Sequence, residues 1–236
     1  MITSFSDFSV LACRKDDAHC ALRVLRNEVP VATWADFANL ELCGEISSRF
    51  WNSVPLQRED SVPGCSLGPF HYRKSPEAYF REVAQKGYEI EFLFEGLSNP
   101  VTDFIAALRL FALEEGIEIR AARYNGSEAW SCRAMWWNGN GVYALAPHDD
   151  IAQVRASINA EFEITKVAHV FALNLYVQAP VSGGELLLWN ILPGDSERAR
   201  FRITDSGYPY PVDYVMAYRK ETSKSPRDCC VCLMVV

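Results

Sequence analysis

The sequence predicts a strand-rich α+β chain in which N-terminal helices pack on a β-sandwich or jelly roll. Two observations carry this prediction. Apolar residues recur at helical spacing through the first half, and the pattern changes to short strand-like runs in the second. Helices first and strands after, in blocks, is the order of segregated α+β layers. Size sets the bound: 236 residues, 49% of them hydrophobic and 12% aromatic, suffice for one domain with a sizeable core. The chain reads as a single domain over residues 1–236, mainly helical over about 1–116 and a β core over about 117–236.

Thr33 is a candidate N-cap for a helix from about Trp34 to Trp51, with Phe37, Leu40 and Ile46 on its inner side. A loop rich in Pro, Gly and Ser follows from Val54 to Phe70. Ser75-Pro76 places a capping hydroxyl before a proline at the first helical position and opens a helix through Glu77, Tyr79, Phe80 and Val83. Asn99-Pro100 repeats the device for a helix carrying Phe104, Ile105, Leu108, Leu110 and Phe111, which Gly116 ends. Strands are expected over Ile117–Tyr124, Ala129–Trp137, Val142–Ala146, Phe162–Lys166, His169–Gln178 and Glu185–Asn190. Asn138-Gly139-Asn140-Gly141 is a hairpin signal between two of them.

A net charge of −7 argues against a nucleic-acid partner and favours a small-molecule substrate. No apolar run reaches the length of a membrane span, and Met1–Asp7 lacks the basic and apolar regions of a signal peptide. The eight cysteines are therefore expected to be reduced thiols in a cytoplasmic protein. The oligomeric state is left open.

Pro147-His148-Asp149-Asp150 is the stretch that speaks most directly of chemistry. On a strand, His148 and Asp150 would share one face, two residues apart. An imidazole and a carboxylate so placed supply two of the three ligands of a 2-His-1-carboxylate iron site. The bland reading is a solvated loop after Pro147. Asp149, alternating away, reads as a hydrogen-bonding or surface residue. Arg133 orders the site or binds substrate, or else simply pairs with a carboxylate. Asn174, Tyr176, Trp189 and Asn190 are candidates for a pocket, with core packing as the alternative for the aromatic pair. His169 is the only histidine after the motif and reads as structural; His19 and His71 precede the sheet.

These pieces, in this order, resemble the small-molecule branch of the Fe(II)/2-oxoglutarate-dependent oxygenases. An arginine-bearing strand (Arg133) leads through a glycine hairpin (Gly139, Gly141) to His148 and Asp150. Asn174-x-Tyr176, Gly183-Gly184-Glu185-Leu186 and Trp189-Asn190 follow. The resemblance covers roughly residues 120–220. It implies a double-stranded β-helix of jelly-roll, cupin-like form, with Fe(II) held by His148 and Asp150, 2-oxoglutarate as cosubstrate and O₂ as oxidant. The protein's part would be to orient and shield that chemistry. A carboxylate at position 150 rather than a small residue implies hydroxylation or a similar oxidation instead of halogenation.

The pattern breaks at the C-terminus. The family continues to a segment of the type G-D-L-L-x-F-N-G-R, then a distal histidine and a basic residue for 2-oxoglutarate; here stand Cys229-Cys230-Val231-Cys232-Leu233-Met234-Val235-Val236. Codons for Asp228–Val236, read from the third base of the Asp228 codon, can spell Leu-Leu-Cys-Val-Phe-Asn-Gly-Arg, so a frameshift or truncation is one expectation. The other is a native C-terminal strand of small apolar residues. Three functions stay open. The first is an oxygenase of a small metabolite, inactive as written for want of the distal ligand. The second is a non-catalytic pseudoenzyme or small-molecule-binding protein on the same fold. The third is a cupin-like metal enzyme that uses His169 and no 2-oxoglutarate.

Overall fold

The structure is a computed structural model that describes residues 4–15, 17, 19–53, 57–58, 64–137, 143–155, 161–203, 208–218, 220–223 and 230–235. Along the chain run β1 (Val10–Cys13), α1 (His19–Leu25), β2 (Val31–Trp34), α2 (Leu40–Asn52), β3 (Gln57–Arg58), β4 (Gly64–Leu67), α3 (Pro76–Phe94) and α4 (Pro100–Glu114). Then come β5 (Arg123–Tyr124), β6 (Ser127–Glu128), β7 (Ala134–Trp137), α5 (Asp150–Arg155), a 3-10 turn (Glu163–Lys166) and β8 (Phe171–Tyr176). The last elements are β9 (Leu186–Trp189), α6 (Asp195–Arg200), α7 (Val212–Val215), β10 (Lys220–Ser223) and β11 (Cys230–Val235).

The central sheet has the order β1-β2-β11-β8; β1 and β2 run parallel, and β11 is antiparallel to both of its neighbours. Its core lies under α1 and α4. Trp34 of β2 is fully buried and meets Phe104 edge-on at 5.1 Å, among Leu22, Val24, Leu108 and Ala112. A second sheet, β3-β4-β7, packs Leu67 against Phe50, Ile90 and Leu93 from α2 and α3. β9 pairs with β10, and β5 with β6. The β5–β6 turn, Asn125-Gly126, has φ of 49° and 80°, the left-handed pair that a two-residue type I′ hairpin requires.

The two proline-capped helices stand where the sequence places them. Asn99 Oδ1 accepts from the N–H groups of Val101 and Thr102 at 3.1 and 3.2 Å, and Ser75 Oγ accepts from Ala78 N–H at 3.3 Å. Gly116 follows the end of α4 with φ of 72°. The helix expected from Trp34 starts instead at Leu40, capped by Asn39, whose Oδ1 accepts from Leu42 N–H at 2.7 Å. Thr33 and Trp34 belong to β2, because β-branched and aromatic residues with a strand partner on each side gain more as a ladder than as a first helical turn. Leu40 faces solvent at 72% exposure, not the core.

The expected loop over Val54–Phe70 contains β4, a strand paired with β7. Of the strand expected over Ile117–Tyr124 only Arg123 and Tyr124 pair, and Phe162–Lys166 ends in the 3-10 turn. Tyr143–Ala146 has no regular structure, and the Asn138–Gly141 hairpin lies outside the described residues. The described strands fall into four separate sheets and do not close into a jelly roll, so the architecture is α+β without the expected β-helix among the described residues. Nor are helices and strands divided by halves of the chain, since β1 and β2 share a sheet with β8 and β11.

The C-terminal segment is an inner strand. Six residues of β11 pair with β8, and four pair with β2. Met234 is 2% exposed and packs with Val31. The segment thus holds an inner-strand position, and the frameshift reading draws no support from it. Cys43 is disulfide-bonded, which corrects the expectation of a fully reduced set; Cys13, Cys20, Cys65 and Cys132 stand outside any disulfide. Among the described residues no helix is long and apolar enough to cross a membrane.

Candidate metal centre

His148 and Asp150 do come together, by a route other than strand alternation. Asp149 accepts the N–H of Ala152 on Oδ1 at 2.8 Å, three residues on, and so caps α5, which begins at Asp150. The capping turn carries Asp149 inward and leaves its two neighbours more exposed. His148 Nε2 then lies 3.5 Å from Asp150 Oδ1, with side chains 21% and 30% exposed. The pair is reachable from solvent but not bathed in it.

The ring of His148 is oriented by its other nitrogen. Nδ1 is 2.8 Å from the carbonyl oxygen of Ala146. A carbonyl only accepts, so the neutral ring carries its hydrogen on Nδ1 and turns a lone pair outward on Nε2, the tautomer of a metal-ligating histidine. The Tyr208 ring flanks the imidazole at 5.8 Å between centroids. Burial pushes the Asp150 carboxyl upward; the neighbouring His148 opposes that, and the Asp149 charge adds to it.

Behind the pair stands a buried polar network. Asp149 is 5% exposed. Its Oδ2 accepts from the Tyr210 hydroxyl at 2.5 Å and from Arg198 Nε at 3.1 Å. Arg198, on α6, is 9% exposed and also donates through Nη1 to Asp195 at 3.0 Å. The backbone is pinned to the same segment: Tyr210 N–H donates to the Pro147 carbonyl at 2.8 Å, and Ala146 N–H donates to the Tyr208 hydroxyl at 3.2 Å.

Two cis ligands about 2.1 Å from an octahedral ion are roughly 3 Å apart. The 3.5 Å separation of His148 and Asp150 therefore suits two adjacent positions on such an ion after a small closing movement. A third donor is missing: among the described residues no group of three His, Cys, Asp or Glu side chains could hold a metal. His169 is exposed and lies beside Phe171, with ring centroids 6.3 Å apart. Among the described residues the site thus offers two donors, fitting adjacent positions on one ion, where a 2-His-1-carboxylate site has three.

The other predicted site residues are dispersed. Arg133, just before β7, stacks its guanidinium 3.8 Å over the Phe70 ring, beside His71 and Lys74. Asn174 is exposed on β8, and Tyr176 packs with Val31 and Met234. Asn190 exchanges two hydrogen bonds with the Phe5 backbone, at 2.7 and 2.8 Å, and so pins the N-terminal segment. Trp189 packs on the cluster of Ile203, Tyr210 and Val215, which connects it to the network behind the pair. Sequence reasoning missed Arg198 and Tyr210 as site residues. They lie 49 and 61 residues from Asp149, and no local pattern announces such a contact.

No family model matches the chain. It is similar to the L-isoleucine 3(1)-dioxygenase of Pantoea ananatis (strain AJ13355), at 31% identity over 184 residues, which is 75% of this chain. The chain spans 62% of that protein's length. The likeness amounts to distant, family-level homology with a dioxygenase.

Proposed function

We propose that this chain is a small-molecule-binding protein on the scaffold of the Fe(II)/2-oxoglutarate-dependent oxygenases, of double-stranded β-helix descent, whose metal site keeps, among the described residues, His148 and Asp150. The observation that supports this is the pair itself, oriented and joined at 3.5 Å with no third donor among the described residues. When bound, Fe(II), 2-oxoglutarate and O₂ supply oxidation chemistry in the family. With two donors the metal is held loosely and its surroundings stay wet, so no catalytic step is assigned here. The protein's contribution is to aim Nε2 of His148 and a carboxylate oxygen of Asp150 at one point. The small molecule is an α-amino acid with a branched apolar side chain, by likeness to a relative named for L-isoleucine. A cytoplasmic location and the absence of nucleic-acid and membrane partners complete the proposal.

A second reading is favoured by that same likeness: an active oxygenase that hydroxylates such an amino acid, with Arg133, Asn174, Tyr176, Trp189 and Asn190 lining or supporting the pocket. A shifted reading frame after Arg227 belongs to this reading and would account for the absent histidine and basic residue. The inner position of β11 weighs against it. Anaerobic titration with Fe(II) and then 2-oxoglutarate separates the readings, followed by a succinate assay with L-isoleucine in air. Weak metal uptake with neither the visible charge-transfer band of the chelate nor succinate supports the binding protein. The band together with succinate overturns it in favour of the oxygenase. A histidine- and arginine-bearing continuation in the other frame of the gene would establish the shift.

A further inference from the structure

We infer that Asp149, Arg198 and Tyr210 form a buried positioning clamp that presets His148 and Asp150 for a divalent cation. The inference rests on the reading of those two residues as metal donors and goes beyond it, assigning a role to three side chains that touch no metal.

Asp149 sits between the two donors in sequence and is more deeply buried than either. Both of its oxygens are occupied, Oδ1 by the Ala152 N–H that starts α5 and Oδ2 by Tyr210 and Arg198. The first contact fixes where Asp150 leaves the helix. The others tie the turn to α6 and to the segment before α7. Tyr210 holds the turn twice, through its hydroxyl on Asp149 and its N–H on the Pro147 carbonyl at 2.8 Å. Fixing Pro147 and Asp149 on either side of His148 leaves that residue little backbone freedom. Its Nδ1 contact to Ala146 then selects one ring orientation. Outer partners of this kind set ligand geometry and typically change metal affinity by about 10- to 100-fold when removed.

The clamp also explains a costly arrangement. A carboxylate and a guanidinium, both nearly excluded from water, are a poor choice for stability alone, since an apolar pair of similar volume does as well or better. A fixed orientation for the adjacent donors is what the ionic arrangement adds.

The test uses the full chain, Co(II) as the probe, and ¹⁵N-histidine NMR at alkaline pH. Calorimetry should give a binding constant that His148→Ala abolishes. Tyr210→Phe should weaken Co(II) binding by roughly 10-fold and, because it removes a buried hydrogen bond to a carboxylate, lower the melting temperature by several degrees while the chain stays folded. It should also turn the fixed Nδ1–H signature of His148 into a tautomer mixture. Arg198→Lys, which keeps the charge but not the planar fork, should give an intermediate loss. If Tyr210→Phe does not fold, the same readings are taken from Arg198→Lys. Unchanged Co(II) affinity and an unchanged His148 signature in a folded variant overturn the inference, as does a wild-type His148 without a fixed tautomer. If the wild type takes up no Co(II) but its fixed tautomer is released in Tyr210→Phe, the clamp stands and the metal reading falls.

Discussion

Replacing Arg198 with Met isolates the energetic weight of the network behind the candidate metal centre. Met matches the length of the arginine stem and removes the charge. In the wild type the side chains of Arg198 and Asp149 are 10% and 7% exposed, and Nε lies 3.1 Å from Oδ2. Removing one partner of such a pair costs about 3–5 kcal/mol, because the other charge is left buried and unpaired. Two contacts remain to Asp149, from the Tyr210 hydroxyl and the Ala152 N–H. Each hydrogen bond to a charged group contributes about 1.5–3 kcal/mol, so the stranded carboxylate is not bare and the lower end, about 3 kcal/mol, is the expected loss. The second ion pair of Arg198, to Asp195, adds little, since that carboxylate side is 85% exposed and such pairs contribute about 0–1 kcal/mol.

A loss of about 3 kcal/mol is a large part of a total stability of about 5–15 kcal/mol. Urea denaturation followed by tryptophan fluorescence should show a lower midpoint at an unchanged slope. Adding Asp149→Asn to Arg198→Met should cost less than the sum of the single changes, by about 2 kcal/mol, since the uncompensated charge is then gone. A single-variant loss under about 1 kcal/mol, or strict additivity in the double variant, would refute the picture of a buried coupled pair.

Burial, then the charges of Arg133 and Lys74, hold His71 below the ordinary histidine value of 6.5. The unfolded chain therefore takes up a proton first as pH falls. Stability from the neutral His71 is present above 6.5 and drains away down to its lower folded value. His71→Gln should flatten that part of a stability–pH profile, and an unchanged slope would count against it. Gly87→Ala should destabilise: a Cβ there would stand 2.8 Å from the Trp130 ring, and overpacking of about 1–3 kcal/mol exceeds the helix-propensity gain of about 1 kcal/mol. A raised melting temperature would contradict this. Deleting residues 230–236 should abolish cooperative unfolding and leave the chain aggregating, since β2 would keep only β1 and β8 would lose its partner; a soluble product with native near-UV dichroism would show β11 to be dispensable.

What was legible in the sequence was what short-range chemistry decides. Ser75-Pro76 and Asn99-Pro100 declare α3 and α4 because cap, proline and first turn lie within four residues of one another. Thr33 misled for the complementary reason. Its hydroxyl is a fair cap, but Val31–Trp34 gains two strand partners from opposite ends of the chain, and no local pattern registers them. The same divide runs through the candidate site. Spacing alone singles out His148 and Asp150, and the structure brings their side chains within 3.5 Å; Asp149 is a hydrogen-bonding residue and not a surface one, placed by a helix cap and not by strand alternation.

The C-terminus carries this reasoning furthest. Cys230–Val235, taken alone, is a run of small apolar residues with no turn signal, and comparison with a family pattern makes it look like a foreign tail. Its neighbours supply what its own letters lack. Among the described residues β2 has β1 on one side, and β8 has no strand beside it other than β11, so an apolar strand between them completes the sheet. A segment that satisfies two ladders at once is specified by those ladders and not by its likeness to a motif. Hence a segment unlike the family's pattern can still complete the central sheet. Cys230–Val235 is the strand that joins β2, near the start of the chain, to β8.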